Sequence, residues 1–411
     1  MKPRLLFLSP VTPAPSGNGR AMRANRMLTA LASRFEVSLL ILESRLTTAP
    51  DFITLRERAG EIVFLPPETG STPVQRFRRA VLRRIPSLYS LLFGQLPEWA
   101  PITPLRLALA ADAFPGKSFD ALHVFRLHLA PYAQTWLDRR GRPAQVNLDL
   151  DDIESVTRRR IAELYRMNHQ PLRALAKRRE AEQLRDLERR WLHRFDRVWV
   201  CSETDAALLR KTIPGIRTAV APNVVSIPPS RPPAPVATSP FRFLFVGTLG
   251  YYPNQDGILW LAREVLPRLR QQADRPFLVV VAGAGLPGWA ARQLRQEPEI
   301  EFCGFVPDLS GLYAQAHAVL VPLRAGGGSR IKILEAFAQG VPVLSTSMGA
   351  EGLDVRAGVD LLLADDAGDF AGHALELMRD TPLRATLSGN AFQRVASTYS
   401  PAALARLIHG P

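Results

Sequence analysis

Short apolar runs alternate with amphipathic segments along most of this 411-residue chain. An apolar run of four to eight residues is typical of a buried strand, and apolar positions three or four apart indicate a helix with one face on a core. In the first half, strands are predicted at Arg4–Ser9, Val37–Leu42, Ile62–Leu65, Ala121–Phe125, Gln145–Leu150 and Arg197–Cys201. Because the segments between them are helical or basic, the pattern predicts a parallel α/β sheet.

The alternation restarts after residues 226–240, which contain six prolines and suit an extended linker. Strands are then predicted at Arg242–Val246, Phe277–Ala282, Ile300–Cys303, Ala318–Pro322, Val341–Leu344 and Asp360–Leu363. We therefore predict an α/β fold of two doubly wound Rossmann-like domains that face each other across a cleft, where a ligand binds. Their predicted bounds are 1–225 and 241–395, followed by a C-terminal helix at 396–411 that returns toward the first domain.

A glycine-rich turn lies between the strand at Ala318–Pro322 and a helical pattern formed by Ile331, Leu334 and Ala338. Glycines let backbone N–H groups approach a ligand closely, and a helix N-terminus attracts an anion. This turn contains Gly326, Gly327, Gly328 and Ser329. The sequence favours an anion site here, although a surface loop before an ordinary amphipathic helix would produce the same pattern.

Two cations stand in the first turn of that helix, Arg330 and Lys332. Positive charge is disfavoured at a helix N-terminus unless an anion binds in front of it. Glu335 lies three residues after Lys332 on the same face, so it can accept hydrogen bonds from hydroxyls beside that anion. A phosphate next to sugar hydroxyls indicates a nucleotide.

Other loops follow the predicted strand ends. Gly247, Thr248 and Asn254 follow one strand, and Gly283 follows the next. Because the carboxyl ends of parallel strands meet at one edge of a sheet, these loops and the turn at 326–330 should converge. In the first domain, Gly17 and Gly19 hold a phosphate or merely make a turn.

The segment LDLDDIES contains Asp149, Asp151, Asp152 and Glu154. Asp149 and Asp151 have the spacing of a metal-binding pair, whereas Asp151 or Asp152 would equally cap the following helix. His123 and His128 flank a strand end with Arg126 between them, and histidine is the usual acid or base near neutral pH. The alternative is a structural role for each histidine.

The formal net charge is +14, and five arginines without an acidic residue fall within 73–93. They alternate with apolar residues, which predicts peripheral contact with an anionic membrane rather than with nucleic acid. The two cysteines, Cys201 and Cys303, lie in apolar runs and suit a reducing cytoplasm. No apolar run is long enough for a membrane span. The predicted location is cytoplasmic, with peripheral contact at the inner face of the plasma membrane.

The segment GGGSRIKILEAFAQGVPVLSTSMGAEGL, with FVGTLGYYPNQDGILWLAREVLPRL upstream, resembles the donor domain of family 4 (group 1) retaining glycosyltransferases of GT-B fold. The resemblance is specific from about Phe241 to Ala364 and weaker in the first half. It implies transfer of a hexose from a nucleotide sugar to an acceptor hydroxyl, with retention and without a bound metal. A saccharide or lipid-linked acceptor would bind the first domain, in polysaccharide or glycolipid synthesis.

The resemblance places Glu335 at the second glutamate of the family's E-x7-E motif, which binds the donor ribose, while the first falls on Gly327. The family's active-site histidine falls on Phe125, with His123 two residues before it. The implied catalytic residues are Arg330, Lys332, Glu335 and His123. The implied donor-binding residues are Gly247, Thr248, Asn254, Gly283, Val306, Gly326, Gly327, Gly328, Ser329, Arg330, Lys332 and Glu335. The predicted acceptor or phosphate site comprises Gly17 and Gly19, which the resemblance implies, together with Arg126 and Asp151 from the residues themselves.

Two alternatives stay open from the residues alone. Gly327 stands where the family has the first glutamate of its motif. The missing glutamate and the high net charge would suit a non-catalytic protein that binds nucleotide sugars or nucleic acid. The LDLDD segment would suit a metal-dependent transferase that uses Asp149 and Asp151.

Overall fold

A computed structural model describes residues 2–17, 19–42, 55–65, 81, 89–94, 96–99, 101–235, 239–328 and 330–409. The chain divides into two compact units. The first comprises Met1–Pro222 and Ala405–Pro411, and the second comprises Asn223–Leu404. The proline-rich segment contributes to the second unit, where Arg231 donates to Ser388 Oγ at 3.3 Å. The five arginines within 73–93 lie outside the described residues.

The first unit contains a sheet of parallel strands flanked by helices. The strands are β1 (Arg4–Ser9), β2 (Glu36–Ile41), β3 (Glu61–Phe64), β4 (Ala121–Phe125), β5 (Gln145–Asp151), β6 (Arg197–Val200) and β7 (Thr218–Val220). The helices are α1 (Gly19–Ala32), α2 (Tyr89–Phe93), α3 (Pro104–Ala111), α4 (Ala130–Arg140), α5 (Glu154–Met167), α6 (Pro171–Trp191) and α7 (Glu203–Thr212). The strand order is β3-β2-β1-β4-β5-β6-β7.

Strand β1 shows why these runs form a parallel sheet. It pairs with β2 on one side and β4 on the other, both in parallel. Leu5, Leu6, Phe7 and Leu8 are all buried, because helices cover both faces of the sheet. A continuous apolar run therefore replaces the alternation expected of a half-exposed strand.

The pattern of charged and apolar residues from Ser155 to Arg194 predicts a long, largely exposed helical region that is interrupted near Pro171, and the structure shows two helices there, α5 and α6. Pro171 is the first residue of α6, where its missing N–H costs no hydrogen bond. Helix α6 buries Ala176, Ala181 and Leu184, while most of its arginines lie on the exposed side.

The second unit repeats the arrangement. Its strands are β8 (Phe241–Val246), β9 (Phe277–Ala282), β10 (Ile300–Gly304), β11 (Ala318–Val321), β12 (Val343–Ser345) and β13 (Leu362–Leu363). Its helices are α8 (Tyr252–Trp260), which continues as a π-helix at Leu261–Val265, α9 (Leu266–Gln272), α10 (Gly288–Leu294), α11 (Ser310–Gln315), α12 (Ile331–Ala338), α13 (Ser347–Ala350), α14 (Ala367–Arg379) and α15 (Thr381–Thr398). A last helix, α16 (Pro401–His409), begins in this unit. The strand order is β10-β9-β8-β11-β12-β13.

Both sheets reverse their strand order beside their first strand. The reversal lies between β1 and β4 in the first unit, and between β8 and β11 in the second. In doubly wound sheets, ligands bind at the carboxyl ends of the strands at such a reversal. Two predicted strands differ from the observed ones by more than one residue: Val341–Leu344 is observed as β12 at Val343–Ser345, and Asp360–Leu363 shortens to β13 at Leu362–Leu363. Within the described ranges, no helix has both the length and the apolar character needed to cross a bilayer.

Candidate functional site

The loops after β8 and β9 are in direct contact. Leu249 N donates to Ala284 O at 2.8 Å, and Gly250 N donates to the same oxygen at 3.3 Å. Gly283 has φ +156°, and a Cβ atom there would lie 1.9 Å from Gly247 O. Glycine is therefore required for this close approach of the two backbones. As predicted from the parallel topology, the two loops converge.

The ammonium of Lys332 lies where the loop after β8 meets the start of α12. Its Nζ donates to Asn254 Oδ1 at 2.9 Å, and Asn254 Nδ2 donates to Thr248 O at 2.9 Å. The same ammonium is 5.2 Å from the centre of the Phe245 ring. A Cβ atom on Gly247 would lie 2.9 Å from Lys332 Nζ. Lys332, Asn254, Thr248 and Gly247 thus form one cluster beside the strand-order reversal.

Burial, followed by repulsion from Arg330, lowers the pKa of Lys332 to about 7. Removing an ammonium from water disfavours its charged form, and a nearby cation adds to that effect. Glu335 opposes the shift only partly. An anion bound beside Lys332 would restore the charged form, so this cluster is suited to binding an anionic group.

Arg330 is 8% exposed and turns back onto its own loop. Its Nη1 donates to the carbonyls of Gly327 and Gly328, the latter at 2.7 Å, and its Nη2 reaches Met348 O at 3.5 Å. A Cβ atom on Gly326, which has φ +139°, would lie 2.8 Å from Nη2. The guanidinium therefore fixes the shape of the glycine turn, and its predicted contact with a diphosphate stays a prediction. Ser329 lies outside the described residues.

Glu335 is partly buried on α12 and accepts a hydrogen bond from the Tyr313 hydroxyl at 3.2 Å. Burial raises its pKa, although Tyr313 and Lys332 oppose the change. Val306, one of the implied donor-binding residues, is half-buried in the loop after β10. The resemblance implies that the backbone at Val306 contacts the base of the nucleotide and that Glu335 contacts the ribose. Both contacts stay predictions.

An ion pair near the end of β11 was not predicted from the sequence. Arg324 donates to both oxygens of Asp256, with Nε to Oδ2 at 2.9 Å and Nη2 to Oδ1 at 2.8 Å. Asp256 is buried on α8, and the guanidinium lies 5.9 Å from the centre of the Trp260 ring. The position of Arg324 three residues after β11 was the available signal, but its partner is 68 residues away.

The loop after β12 holds the glycine turn from its other side. Thr346 Oγ1 donates to Leu323 O and accepts from Gly349 N at 2.9 Å. A Cβ atom on Gly349 would lie 2.3 Å from Ser345 Oγ. These contacts join the ends of β11 and β12, so the turn is anchored at both of its sides.

In the first unit, two buried arginines hold the acidic segment. Arg23 Nε donates to both oxygens of Asp149 at 3.0 Å. Arg126, 2% exposed, donates to Asp151 at 3.1 Å, Asp152 at 2.5 Å and Glu154 at 2.8 Å. The carboxylates proposed for a metal are therefore occupied by guanidinium groups.

The backbone around this ion cluster is unusual. Arg126 has φ +78° and Asp151 has φ +65°, a region that non-glycine residues seldom adopt. The expectation that Asp151 or Asp152 caps α5 is wrong. The N-cap position is Ile153, without a side-chain hydrogen bond, because both carboxylates bind Arg126 instead. Burial raises the pKa of Asp151, although Arg126 opposes the change.

His123 lies inside β4 and is 1% exposed. Its ring centre is 4.9 Å from that of Phe7, and neither ring nitrogen has a hydrogen-bond partner among the described residues. Burial, followed by Arg23, lowers the pKa of His123 to about 3. His128 behaves similarly, because burial and then Arg126 lower its pKa to about 3. Both rings are consequently neutral at physiological pH.

The predicted glycine loop of the first unit follows β1. Gly17 is exposed with φ +104°, and Gly19 is the exposed first residue of α1. The positive φ explains why glycine occupies position 17. The structure describes no partner that would choose between a phosphate site and a plain turn, so that choice stays open.

Comparisons with known proteins locate a family domain in the second unit. Residues 240–380 match the model of the family described as glycosyl transferases group 1. An uncharacterised 44.6 kDa protein from the cps region of Klebsiella pneumoniae is 24% identical over 164 residues. This match covers 38% of the present chain and spans 42% of that relative. The group 1 resemblance predicted from the sequence is confirmed for residues 240–380.

Solved structures share the fold of the whole chain. Sucrose-phosphate synthase from Thermosynechococcus elongatus has a TM-score of 0.65 at 15% identity, covering 99% of this chain and 97% of that one. Anabaena HepE, in complex with UDP-glucose, has a TM-score of 0.64 at 16% identity, covering 99% and 98%. A variant of S. aureus TarM, in complex with fondaparinux, alpha-GlcNAc-glycerol and UDP, has a TM-score of 0.67 at 9% identity, covering 99% of each chain. The predicted pair of Rossmann-like domains of the GT-B class is confirmed.

Proposed function

We propose that this protein is a retaining glycosyltransferase of family 4 that transfers a hexose from a nucleoside-diphosphate sugar to an acceptor hydroxyl. One observation carries the proposal: the Lys332 ammonium lies against Gly247 and Asn254 at the strand-order reversal of the second sheet. That position suits a phosphate group. The match of residues 240–380 to group 1 glycosyl transferases supports it.

In this proposal, the diphosphate of the donor lies beside Lys332, and Arg330 shapes the glycine turn that surrounds it. Backbone N–H groups of the loops around Gly247 and Gly283 supply further donors. Glu335 accepts hydrogen bonds from the ribose hydroxyls, with Tyr313 fixing its orientation. HepE was solved with UDP-glucose and TarM with UDP, which supports a uridine nucleotide as the first donor to test.

The proposed chemistry stabilises the leaving group. Negative charge on the diphosphate grows as the bond from its oxygen to the anomeric carbon breaks, and a preorganised cation stabilises that charge. The acceptor oxygen forms the new bond on the same face, and the leaving phosphate takes its proton. Configuration is then retained without a covalent enzyme intermediate. Lys332 supplies the positive charge, so the proposed reaction requires no bound metal.

The first unit is the proposed acceptor domain. Gly17, Gly19 and the ends of β4 and β5 supply its binding loops, with Arg126 and Asp151 as positioning residues inside the cluster. The curated relative from a cps region and the TarM complex with alpha-GlcNAc-glycerol support a saccharide acceptor in polysaccharide or glycolipid synthesis. A lipid-linked acceptor at the cytoplasmic face of a membrane is part of the same proposal.

The first experiment incubates the purified protein with UDP-glucose and related nucleotide sugars, with and without EDTA. Release of UDP and the mass of the product measure transfer, and NMR of the product gives the anomeric configuration. We expect transfer in EDTA with retention. Binding without transfer or hydrolysis, for every sugar and acceptor offered, would instead favour a non-catalytic protein.

A matched pair of variants then tests the donor site. Lys332→Met should lower kcat/KM by about 100-fold or more, because it removes a cation aimed at developing charge. Lys211→Met, on an exposed lysine at the end of α7, should leave transfer unchanged. Normal turnover by Lys332→Met would refute this assignment.

A further inference from the structure

Helices α5 and α6 of the first unit, together with α7, enclose a groove of about 740 Å³. This volume is within the range of small-molecule sites, roughly 300–1,000 Å³. Its apolar lining includes Val156, Ala162, Ala174, Ala181 and Leu208. The small alanine side chains on facing helices leave the space between the helices open. Together with Val156 and Leu208 they form the apolar floor of the groove.

Five arginines also line the groove, but they are not equivalent. Arg166 is paired with Glu163, and Arg178 lies 3.4 Å from Glu182. These pairs satisfy both the acids and two of the arginines. A third acid, Glu188, is buried and accepts hydrogen bonds from Ser155 N at 3.0 Å and from its hydroxyl at 2.5 Å.

Arg159, Arg185 and Arg189 are the remaining arginines of the groove. All three are exposed, and within the described part of the chain none has a hydrogen bond or ion pair. Arg185 and Arg189 are four residues apart on one helix, a spacing at which like charges destabilise a helix. Arg159 lies on the facing helix. The groove thus presents three uncompensated guanidinium groups beside an apolar floor.

The junction between α5 and α6 exposes large apolar side chains. Leu172 is 67% exposed, Leu175 56% and Met167 51%, and Leu175 lines the groove itself. Apolar side chains flanked by arginines are characteristic of surfaces that dock on anionic membranes. One end of the groove therefore resembles a membrane-facing surface.

We propose that this groove binds one membrane lipid with a phosphate head group. The lipid chain lies along the alanine floor, and the phosphate binds Arg159, Arg185 and Arg189. The three exposed arginines favour an anionic head group, and the apolar floor favours a hydrocarbon chain. The proposal does not depend on the proposed sugar transfer, because binding is measured without a nucleotide sugar.

Calorimetry with three probes tests the chemistry of the occupant. Dodecyl phosphate below its aggregation concentration should bind, whereas dodecyl maltoside, which has the same chain, and inorganic phosphate should each bind at least tenfold more weakly. Equal binding of inorganic phosphate would show a simple anion site. Equal binding of dodecyl maltoside would show that the groove binds any alkyl chain without recognising the phosphate. Either result would overturn the proposal.

Two charge-matched triple variants test the location. Arg159→Gln, Arg185→Gln and Arg189→Gln together should raise the Kd of dodecyl phosphate at least tenfold and weaken sedimentation with vesicles of phosphatidylglycerol. The control changes three exposed cations outside the groove, Arg179→Gln, Lys211→Gln and Arg217→Gln. It should change the Kd by less than twofold. Equal losses in both variants would indicate unspecific charge attraction and refute the site.

A variant of the floor provides an independent test. Ala174→Phe places a ring in the groove and should abolish dodecyl phosphate binding while all five arginines remain. Circular dichroism checks that the variant is folded. If Ala174→Phe is folded and still binds with unchanged affinity, the chain does not lie in the groove and the proposal fails.

Discussion

The close approach of Gly283 to Gly247 allows a sharp test of the donor site. A Cβ atom at Gly283 would lie 1.9 Å from Gly247 O and 2.9 Å from Gly247 C. Contacts under 3.0 Å are essentially never tolerated. Gly283→Ala must therefore move the two backbones apart by at least about 1.1 Å, the difference between 3.0 Å and the 1.9 Å contact. The moving peptide lies beside Lys332 and Asn254. The variant should therefore disturb the cluster without touching any of its polar side chains.

Two effects determine the expected loss of stability in Gly283→Ala. Overpacking of this kind costs about 1–3 kcal/mol, and a backbone conformation that only glycine readily adopts costs another residue about 1–3 kcal/mol. Together they predict a loss of roughly 2–6 kcal/mol in the free energy of unfolding of the second unit. Displacement of a binding group by about 1 Å can lower turnover by about 100-fold. We therefore expect both a large loss of stability and a large loss of transfer.

Gly358→Ala is the matched control. Gly358 also has a positive φ, +72°, but its Cβ would meet nothing within 4 Å. It should lose only the conformational contribution, about 1–2 kcal/mol, and keep normal transfer. Urea unfolding and steady-state transfer with UDP-glucose compare the two. If Gly283→Ala matches Gly358→Ala in both measurements, the reasoning about the packed loops is wrong.

Three further outcomes follow from the charged groups. Nucleotide-sugar affinity should fall as pH rises from 7 to 9, because Lys332, with a pKa near 7, must gain a proton to bind the diphosphate. Calorimetry in two buffers of different ionisation enthalpy should detect the uptake of this proton. An affinity that does not change with pH would contradict the prediction. Arg324→Met should cost about 3–5 kcal/mol, because it removes the guanidinium that pairs with the buried carboxylate of Asp256, and a second change, Asp256→Asn, should recover part of it in urea unfolding. Burial raises the pKa of Glu188 from 4.5 to about 7. The folded state therefore holds the extra proton between those values, and this group's contribution to stability falls as pH rises through them; Glu188→Gln should abolish that part of the stability profile.

The sequence predicted the parallel sheets well, because a strand buried on both faces leaves a continuous apolar run. Arg4–Ser9 and Phe277–Ala282 were predicted with their observed bounds. Strand β7, Thr218–Val220, was missed because its three residues are only partly buried, so no apolar run marks it. The long helical region was divided correctly near Pro171, since proline leaves a clear local signal.

Buried ion pairs were beyond the sequence analysis. Arg23 and Asp149 are 126 residues apart, and no periodic pattern connects them. Local rules suggested that an aspartate before a helix caps it, but a buried guanidinium binds the carboxylates of Asp151 and Asp152 more strongly. Likewise, the sequence placed Arg330 in a helix start and could not show that its N–H groups would bind carbonyls of its own turn.

The enclosure of Arg126 has a consequence for ionic strength. Dissolved salt screens charges that ions can approach, over a Debye length of about 10 Å at 0.1 M, but it reaches a solvent-excluded cluster poorly. Surface pairs such as Arg166 with Glu163 should weaken in concentrated sodium chloride, while Arg126 keeps its three carboxylates. Concentrated salt should thus weaken the surface ion pairs of the first unit and leave the buried ion pairs of Arg126 formed.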